Sequence, residues 1–290
     1  MKITTNIIKI INKRKALKAI MLDGNLKNVS KELLGDREFV LIVVRLDGRF
    51  LKHVSNELRG DKEVVIEAVR QNGEALEYVS DELKNDREVV IEAVRRRGWT
   101  LQYASDELKG DREFILDAVK QNAWALKYAS YELRGDREAV LIAVKQEGYA
   151  LKYASDELRG DKEVVLEAVK QYDGVLRYAS KELQNDREVV LILIKRFGKY
   201  LRLFGSAAKI SIETWNENLQ YIGDELKNNK EFMLEAIKEY PPVLELASDE
   251  LKKDKEFVLE AIKENTYLSK NEELQSILIL LAGCNFNINN

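Results

Sequence analysis

Cysteine, histidine and proline are all scarce in this sequence of 290 residues. Cys284 is the single cysteine and His53 the single histidine, so no disulfide can form within the chain and no zinc site of the usual Cys/His type can be assembled. The same scarcity excludes most nucleophile–base pairs that enzymes use. The two prolines, Pro241 and Pro242, are adjacent, which favours continuous helical packing over Pro-rich linkers.

Motifs of familiar chemistry are missing as well. The sequence has no Gly-Lys-Ser/Thr phosphate loop, no Gly-x-Ser-x-Gly, no His-Glu-x-x-His and no Cys-x-x-Cys. No segment reaches the roughly 20 apolar residues of a membrane span. We therefore expect no enzyme activity, no cofactor, no metal and no transmembrane segment. We expect a cytoplasmic protein, with delivery to another cell or compartment left open.

Charge is nearly balanced overall but unevenly distributed. Lys and Arg number 47 and Asp and Glu number 50, yet residues 1–22 contain six basic residues and no acid, so the rest of the chain is acidic. An acidic body is a poor match to a phosphate backbone, which makes nucleic acid the less favoured partner. The basic N-terminal segment, with Ile7, Ile8, Ile10 and Ile11, predicts an amphipathic helix that caps the first repeat. Peripheral membrane contact or targeting is the alternative.

A period of 25 residues dominates the sequence, and we number each repeat from its initial Asp as position 1. Aspartates stand at 36, 61, 86, 111, 136, 161 and 186, each opening a phrase such as Asp161-Lys162-Glu163-Val164-Val165. Asp is a good N-cap and Glu suits the first helical turn, so a helix buried along a wide apolar stripe is predicted here. Glycine at position 13 is expected to terminate this helix. A second helix and a short turn capped by Ser180 or its equivalents should follow.

These helices are too short to be stable alone in water, so they must stack on neighbouring repeats. The predicted fold is an all-α solenoid of tandem two-helix repeats. We expect a basic cap at 1–22 and regular repeats at 23–210. The remainder, 211–290, is expected to hold a half repeat, two further repeats and a C-terminal helical cap.

The repeat becomes irregular near 197–216. After Asp186, the next aligned start is Asn229, later than a repeat of 25 residues allows. Local rules that fail between two regular regions often mark function or strain. We predict a kink or gap in the helical stack at this place, and an unequal deletion without functional consequence is the simpler cause.

The repeated phrase Leu-x-Tyr-Ala-Ser-x-Glu-Leu-x-x-Asp-x-Glu-Val-Val-x-x-Ala-Val resembles the repeat known as domain of unknown function 4116. Residues 126–144 and 151–169 match it best, and the likeness extends from about Leu26 to Lys263. It departs at residues 203–206, where Leu-Phe-Gly-Ser replaces Tyr-Ala-Ser-x. The resemblance implies a repeat module without an established activity and supplies no catalytic residues.

Position 14 is the best candidate for contact with a partner. It accepts Arg, Glu, Gly and Lys in some repeats, but it is aromatic in three successive ones, as Trp99, Trp124 and Tyr149. Such variety argues against a fixed core position, and large aromatics often anchor partners. Packing between repeats is the structural alternative, and both stay open. We therefore expect a non-catalytic scaffold that recognises an unidentified protein partner, with these three aromatics as the contact patch.

Other recurring residues receive structural interpretations first. The acids of every repeat are interpreted as helix starts and solvated faces, and Cys284 as a small apolar residue. The tyrosines of position 18, with His53 in the same place, are interpreted as packing at the edge of the core. Together with the Lys and Arg of position 17, the same tyrosines could stack nucleic-acid bases, so a nucleic-acid-binding α-solenoid is the alternative function. This tyrosine row comprises Tyr78, Tyr103, Tyr128, Tyr153 and Tyr178.

Overall fold

The computed structural model of the chain describes residues 2–27, 29–204 and 217–264. These residues form α- and 3₁₀-helices joined by short turns, and no β-strand occurs among them. The chain divides into two compact blocks, here called the N-terminal block (Met1–Ala143) and the C-terminal block (Val144–Asn290). Within each block, successive repeats pack on one another. The chain is thus an all-α tandem-repeat protein of the solenoid class, as predicted.

Most repeats contain a long α-helix, a six-residue 3₁₀-helix and a short final turn. The repeat that begins at Asp186 differs, because its helix Arg187–Phe204 has 18 residues and no 3₁₀-helix is found in its described part. In the first part of the chain, the N-terminal helix Lys2–Asp23 is followed by the long helices Arg37–Leu46, Lys62–Gln71, Arg87–Arg96, Arg112–Gln121 and Arg137–Gln146. The 3₁₀-helices are Gly48–His53, Gly73–Tyr78, Gly98–Tyr103 and Ala123–Tyr128. The short turns are Lys31–Leu34, Leu58–Gly60, Asp81–Lys84, Asp106–Gly110 and Leu133–Gly135.

The C-terminal block has the same three parts in most of its repeats. Its remaining long helices are Lys162–Gln171, Arg187–Phe204, Lys230–Glu239 and Lys255–Glu264. Its 3₁₀-helices are Gly148–Tyr153, Asp173–Tyr178 and Pro241–Leu246. Its short turns are Asp156–Arg159, Lys181–Gln184, Asp224–Lys227 and Asp249–Lys253. The predicted C-terminal cap after 264, including Cys284, lies outside the described residues.

Capping and burial follow the repeated phrase closely. The carboxylate of Asp161 accepts a hydrogen bond from the backbone N–H of Val164 at 3.0 Å, and Ser180 accepts one from Leu183 at 3.3 Å. Both predicted N-caps are therefore confirmed. Val164 and Ala168 are completely buried, as the wide apolar stripe requires. The second helix is confirmed in place but is a 3₁₀-helix instead of an α-helix.

The glycines at position 13 have a structural role that differs from the helix termination expected from the sequence. Gly24 is the one described glycine with a positive φ, so Gly48 and Gly73 do not end their helices in the left-handed conformation. They begin the 3₁₀-helices instead, and the next repeat lies directly against them. A Cβ atom on Gly48 would approach the carbonyl oxygen of Ala68 to 2.2 Å. Glycine therefore suits Gly48, where two backbones approach closely, whereas Ala123 and Asp173 occupy the same position in other repeats.

The N-terminal helix covers the first repeat. Ala16 and Ile20 are buried in a cluster with Leu26, Phe39 and other apolar residues. Lys13 forms an ion pair with Asp36 at 2.7 Å. The side chains of Ile7, Ile8 and Ile10 lie outside the described residues. The described part of this helix therefore packs as a repeat helix does.

The repeat is irregular where predicted, because the helix Arg187–Phe204 continues through the residues at which other repeats begin a 3₁₀-helix. The predicted kink or gap falls largely on residues 205–216, which lie outside the described residues. The long helix Arg187–Phe204 passes through Phe197, which is buried edge-on against Tyr240 with ring centroids 5.9 Å apart. The backbone N–H of Gly223 donates to the carbonyl of Gln184 at 2.9 Å. Ser180 makes the equivalent bond to Arg159 in the preceding repeat at 2.9 Å. Residues 217–228 thus complete the repeat that begins at Asp186, and the next repeat packs directly on it.

Candidate interaction surface

The 3₁₀-helices determine which side chains face outward. With three residues per turn, positions 13 and 16 lie on one side of such a helix and positions 14 and 17 on another. Ala123 and Leu126 are accordingly buried, whereas Trp124 is 43% exposed and Lys127 is exposed. Tyr128, at position 18, is half-buried. We call the surface formed by positions 14, 17 and 18 the 3₁₀ face.

In the N-terminal block, two predicted contact residues lie on this face. Trp99 is half-buried and packs edge-on against Tyr103, with ring centroids 6.2 Å apart. Its 3₁₀-helix packs against the one that carries Trp124. Asn122 holds the start of that second helix, because its side chain accepts a hydrogen bond from the backbone N–H of Trp124 at 3.1 Å. Neither indole belongs to the fully buried core.

Acidic side chains accompany the tyrosines earlier in the same block. Burial raises the pKa of Tyr103, and the nearby carboxylate of Glu77 raises it further. Burial also raises the pKa of Tyr78, whose hydroxyl forms a hydrogen bond with Glu77. Glu74 pairs with Arg97 at 3.3 Å. This part of the 3₁₀ face therefore carries carboxylates beside cations, and Glu77 is the acid that acts on the two tyrosines.

In the C-terminal block, Tyr149 lies at the centre of a group of tyrosines. Its ring makes edge-on contacts at centroid distances of 6.0 Å to Tyr153, 5.6 Å to Tyr172 and 5.5 Å to Tyr178. All four rings are half-buried. Two cations, Lys152 and Arg177, lie among them. We call this group the tyrosine cluster: Tyr149, Lys152, Tyr153, Tyr172, Arg177 and Tyr178.

Hydrogen bonds orient the cations of the tyrosine cluster. The Lys152 ammonium donates to the Tyr149 hydroxyl at 3.0 Å and lies 5.4, 5.9 and 6.0 Å from the ring centroids of Tyr149, Tyr153 and Tyr178. Ammonium groups at such distances are attracted to aromatic rings. The Arg177 guanidinium lies 5.2 Å from the Tyr178 centroid and donates to the carbonyl of Gly174 at 3.2 Å.

The same contacts separate the pKa values of two neighbouring tyrosines. The hydrogen bond from Lys152 lowers the pKa of Tyr149, and a hydrogen bond from Tyr178 adds to the effect. Burial raises the pKa of Tyr178 to about 12, and its bond to Tyr149 contributes to that rise. The Tyr149 oxygen therefore acts as an acceptor, and its phenolate forms at lower pH than that of Tyr178.

A series of ion pairs between successive repeats gives the recurring acids a second role. Arg112 bonds to the carboxylates of Asp136 and Glu138, each at 2.7 Å, and Lys162 reaches Asp186 at 2.8 Å in the same way. The acids are helix starts, as predicted, but they also bind the preceding repeat. We did not predict this role. The signal was the Lys or Arg that follows the cap residue in every aligned repeat.

Among the described residues, no three or more His, Cys, Asp and Glu side chains are grouped so that they could hold a metal ion. None of the helices in the described ranges is long and apolar enough to cross a membrane.

Comparison with known proteins identifies a family. The model of the family described as "Domain of unknown function (DUF4116)" matches residues 12–59, 61–109, 111–159, 161–206, 208–252 and 229–271. Each of the first three segments spans about two of the 25-residue repeats. No curated protein and no solved structure matches the chain. Since the matches extend over most of the sequence, the chain belongs to the DUF4116 family.

Proposed function

We propose that this protein is a non-catalytic scaffold that recognises another protein through the 3₁₀ face, with Trp99, Trp124 and Tyr149 as contact residues. The observation that supports this best is the exposure of Trp124 between two buried neighbours, Ala123 and Ala125. The short helix holds the indole outside the core in a defined place, so little side-chain freedom would be lost on binding. Aromatic side chains presented in this way commonly contribute the largest energies at protein interfaces.

Charges of both signs on the 3₁₀ face favour a protein over nucleic acid. Glu74 and Glu77 lie on the face in the same block as Trp99 and Trp124, and the cations Arg49, Lys52 and Lys127 occupy equivalent positions there. A phosphate backbone needs clustered cations, and carboxylates would repel it. A protein surface can match patches of both signs.

The test is capture of the natural partner by the purified chain. Trp99→Ala combined with Trp124→Ala should abolish capture from an extract of the source cells, scored by mass spectrometry, because both anchors are lost. The melting temperature should change little, since neither ring is fully buried. Tyr131→Ala is the matched control, because Tyr131 is a 73% exposed aromatic that lies just before the short turn Leu133–Gly135 and occupies none of the positions 14, 17 and 18 that form the 3₁₀ face.

Two results would contradict the proposal. If the double variant loses about 3–5 kcal/mol of stability for each indole, the rings are packing residues of the core. If the double variant and the Tyr131 control capture the same proteins as the native chain, the 3₁₀ face is not the contact surface.

A further inference from the structure

The first two long helices carry most of the large hydrophobic side chains that are exposed in the described ranges. They hold five of the nine. Met21 and Leu22 are each 75% exposed, and Ile11, Ile42 and Leu46 are each 45% exposed. Apolar side chains grouped on a surface in this way mark a contact with another molecule or with a membrane.

The outward side of the N-terminal helix Lys2–Asp23 combines apolar side chains with cations. At about 100° per residue, six exposed side chains fall within roughly a third of the helix circumference. They are Ile11, Arg14, Lys15, Lys18, Met21 and Leu22. Ala16 and Ile20 lie on the opposite side and are buried in the cluster that contains Phe39. We call the group of six the N-terminal face.

The three cations of the N-terminal face form no ion pair with a carboxylate of the described residues. Lys13 differs from them, because it lies towards the next helix and pairs there with Asp36 at 2.7 Å and Glu38 at 3.4 Å. The single acid of the N-terminal helix is Asp23, which lies about 100° beyond Leu22 around the helix axis and so off the face. The face therefore carries positive charge without an acid among its members.

The next repeat replaces part of the apolar surface with polar side chains. One repeat after Ile42 and Leu46, the same positions hold Glu67 and Gln71. Glu67 forms an ion pair with Arg45 at 2.7 Å. Since these positions accept a carboxylate and an amide, the packing of the repeat does not require Ile42 and Leu46 to be apolar.

We propose that the N-terminal face is a docking site for the surface of an anionic lipid membrane. Its three apolar side chains enter the boundary between headgroups and acyl chains, and its three cations extend to the lipid phosphates. The opposite side of the helix stays packed on the first repeat, so the helix binds as part of the folded chain. This site is separate from the 3₁₀ face and goes beyond the proposed function.

The mixture of side chains favours a membrane over nucleic acid. Nucleic acid is held through its phosphates by cations, and it would leave Met21 and Leu22 in water. A lipid surface offers phosphates and an apolar layer side by side at every point of contact. The acidic remainder of the chain opposes this contact little, because exposed charges are screened over about 8 Å at physiological ionic strength.

Flotation of the full chain with lipid vesicles tests the proposal. One set of vesicles contains equal parts of phosphatidylcholine and phosphatidylserine, and the other contains phosphatidylcholine alone. We expect binding to the anionic vesicles that weakens with added salt. Arg14→Gln, Lys15→Gln and Lys18→Gln should each reduce partitioning by roughly fivefold, the effect of one cation near an anionic surface. Met21→Ser combined with Leu22→Ser should reduce it by roughly tenfold or more, because apolar burial is lost.

The matched control is the triple variant Lys145→Gln, Lys195→Gln and Lys199→Gln, which removes three exposed cations from the C-terminal block. It should float as the native chain does. Circular dichroism melts of all variants should match the native melt, because the substituted side chains are exposed.

Four results would overturn the proposal. The first is absence of binding to the anionic vesicles, and the second is equal binding to both kinds of vesicle. The third is equal loss of binding in the control and in a triple variant of Arg14, Lys15 and Lys18, which would leave only an effect of net charge. The fourth is binding of a single-stranded oligonucleotide that is tighter than vesicle binding and unaffected by the Met21 and Leu22 substitutions, which would assign the face to nucleic acid.

Discussion

Tyrosines on the 3₁₀ face of the two blocks, at position 18 in one and position 14 in the other, have opposite electrostatic surroundings. In the N-terminal block, Tyr103 lies near Glu77, which adds to the rise in its pKa caused by burial. In the C-terminal block, Tyr149 receives a hydrogen bond from Lys152, which lowers its pKa. The backbones that carry these side chains have the same 3₁₀ conformation. The repeats thus keep the same backbone conformation while the charged residues around their tyrosines differ.

Among the changes that test this comparison, removal of one whole repeat should have the largest effect on the structure and on the pKa of Tyr103. Deleting residues 61–85 excises a complete repeat, including Glu74 and Glu77, and joins two equivalent ends. Because each repeat contacts mainly its neighbours, the shortened chain should still fold and melt cooperatively. The pKa of Tyr103 should fall, since the carboxylates are gone. Circular dichroism melts and a tyrosine titration are the measurements.

The control for that deletion removes about half as many residues from the same place. It disrupts the helix register and should abolish cooperative melting. If the two deletions reduce cooperative melting equally, the repeats are not interchangeable units, and the claim that they share one backbone structure would be wrong.

Glycine substitutions should have the next largest effect, and it should be the same in both blocks. A Cβ atom would come within 2.2 Å of the Ala68 carbonyl oxygen at Gly48 and 2.4 Å of the Ala168 carbonyl oxygen at Gly148. Backbone must move to relieve such contacts, so Gly48→Ala and Gly148→Ala should each cost about 1–3 kcal/mol. Urea unfolding measures the free energy of each variant.

Gly110→Ala is the matched glycine control. A Cβ atom at Gly110 meets nothing within 4 Å, so this substitution should be neutral or slightly stabilising, by about 0.4–1 kcal/mol. Should Gly48→Ala and Gly148→Ala also prove neutral, the close approach between repeats does not require glycine.

Substitution of the charged neighbours should have the smallest effect, a shift in tyrosine pKa values, but it tests the electrostatic difference between the blocks most directly. With rising pH, Tyr149 should lose its proton before Tyr103, and Tyr178 should ionise at about 12. Lys152→Gln removes the stabilising donor and should raise the pKa of Tyr149 towards its ordinary value. Glu77→Gln should lower the pKa of Tyr103 only in part, because burial is the larger cause.

Near-ultraviolet absorbance, with single Tyr→Phe variants to assign each ring, measures these pKa values. Lys195→Gln changes charge to the same extent outside the cluster and should leave Tyr149 unaffected. If Lys152→Gln and Lys195→Gln shift Tyr149 equally, the effect comes from net charge and the local contact is unimportant.

Local and periodic features could be predicted from the sequence because their causes are near in the chain. An N-cap needs its side chain within three residues of the N–H that it binds, and Asp161 and Ser180 both satisfy that requirement. The apolar positions of the long helices recur with a helical spacing, so Val164 and Ala168 could be assigned to the core. These two signals, repeated through the chain, were sufficient for the fold class.

The candidate surface was predictable only in part. Trp99, Trp124 and Tyr149 were selected because their position varies in residue type, but composition could not separate surface from packing. The 3₁₀ geometry of the second helix decides their exposure. The tyrosine cluster was missed as a unit because Tyr172 belongs to a different position of the repeat from Tyr153 and Tyr178.

By itself, the sequence determined the repeat length, the helix starts, the buried positions and the family. Only the tertiary structure decided why glycine suits Gly48 and Gly148, which carboxylates each position 2 cation binds, and that the helix Lys230–Glu239 packs on the helix Arg187–Phe204. The physical reason is distance along the chain. Caps and helical periodicity act within a few residues, whereas backbone approach and ion pairing join residues about one repeat apart, whose spacing is set by how the repeats pack.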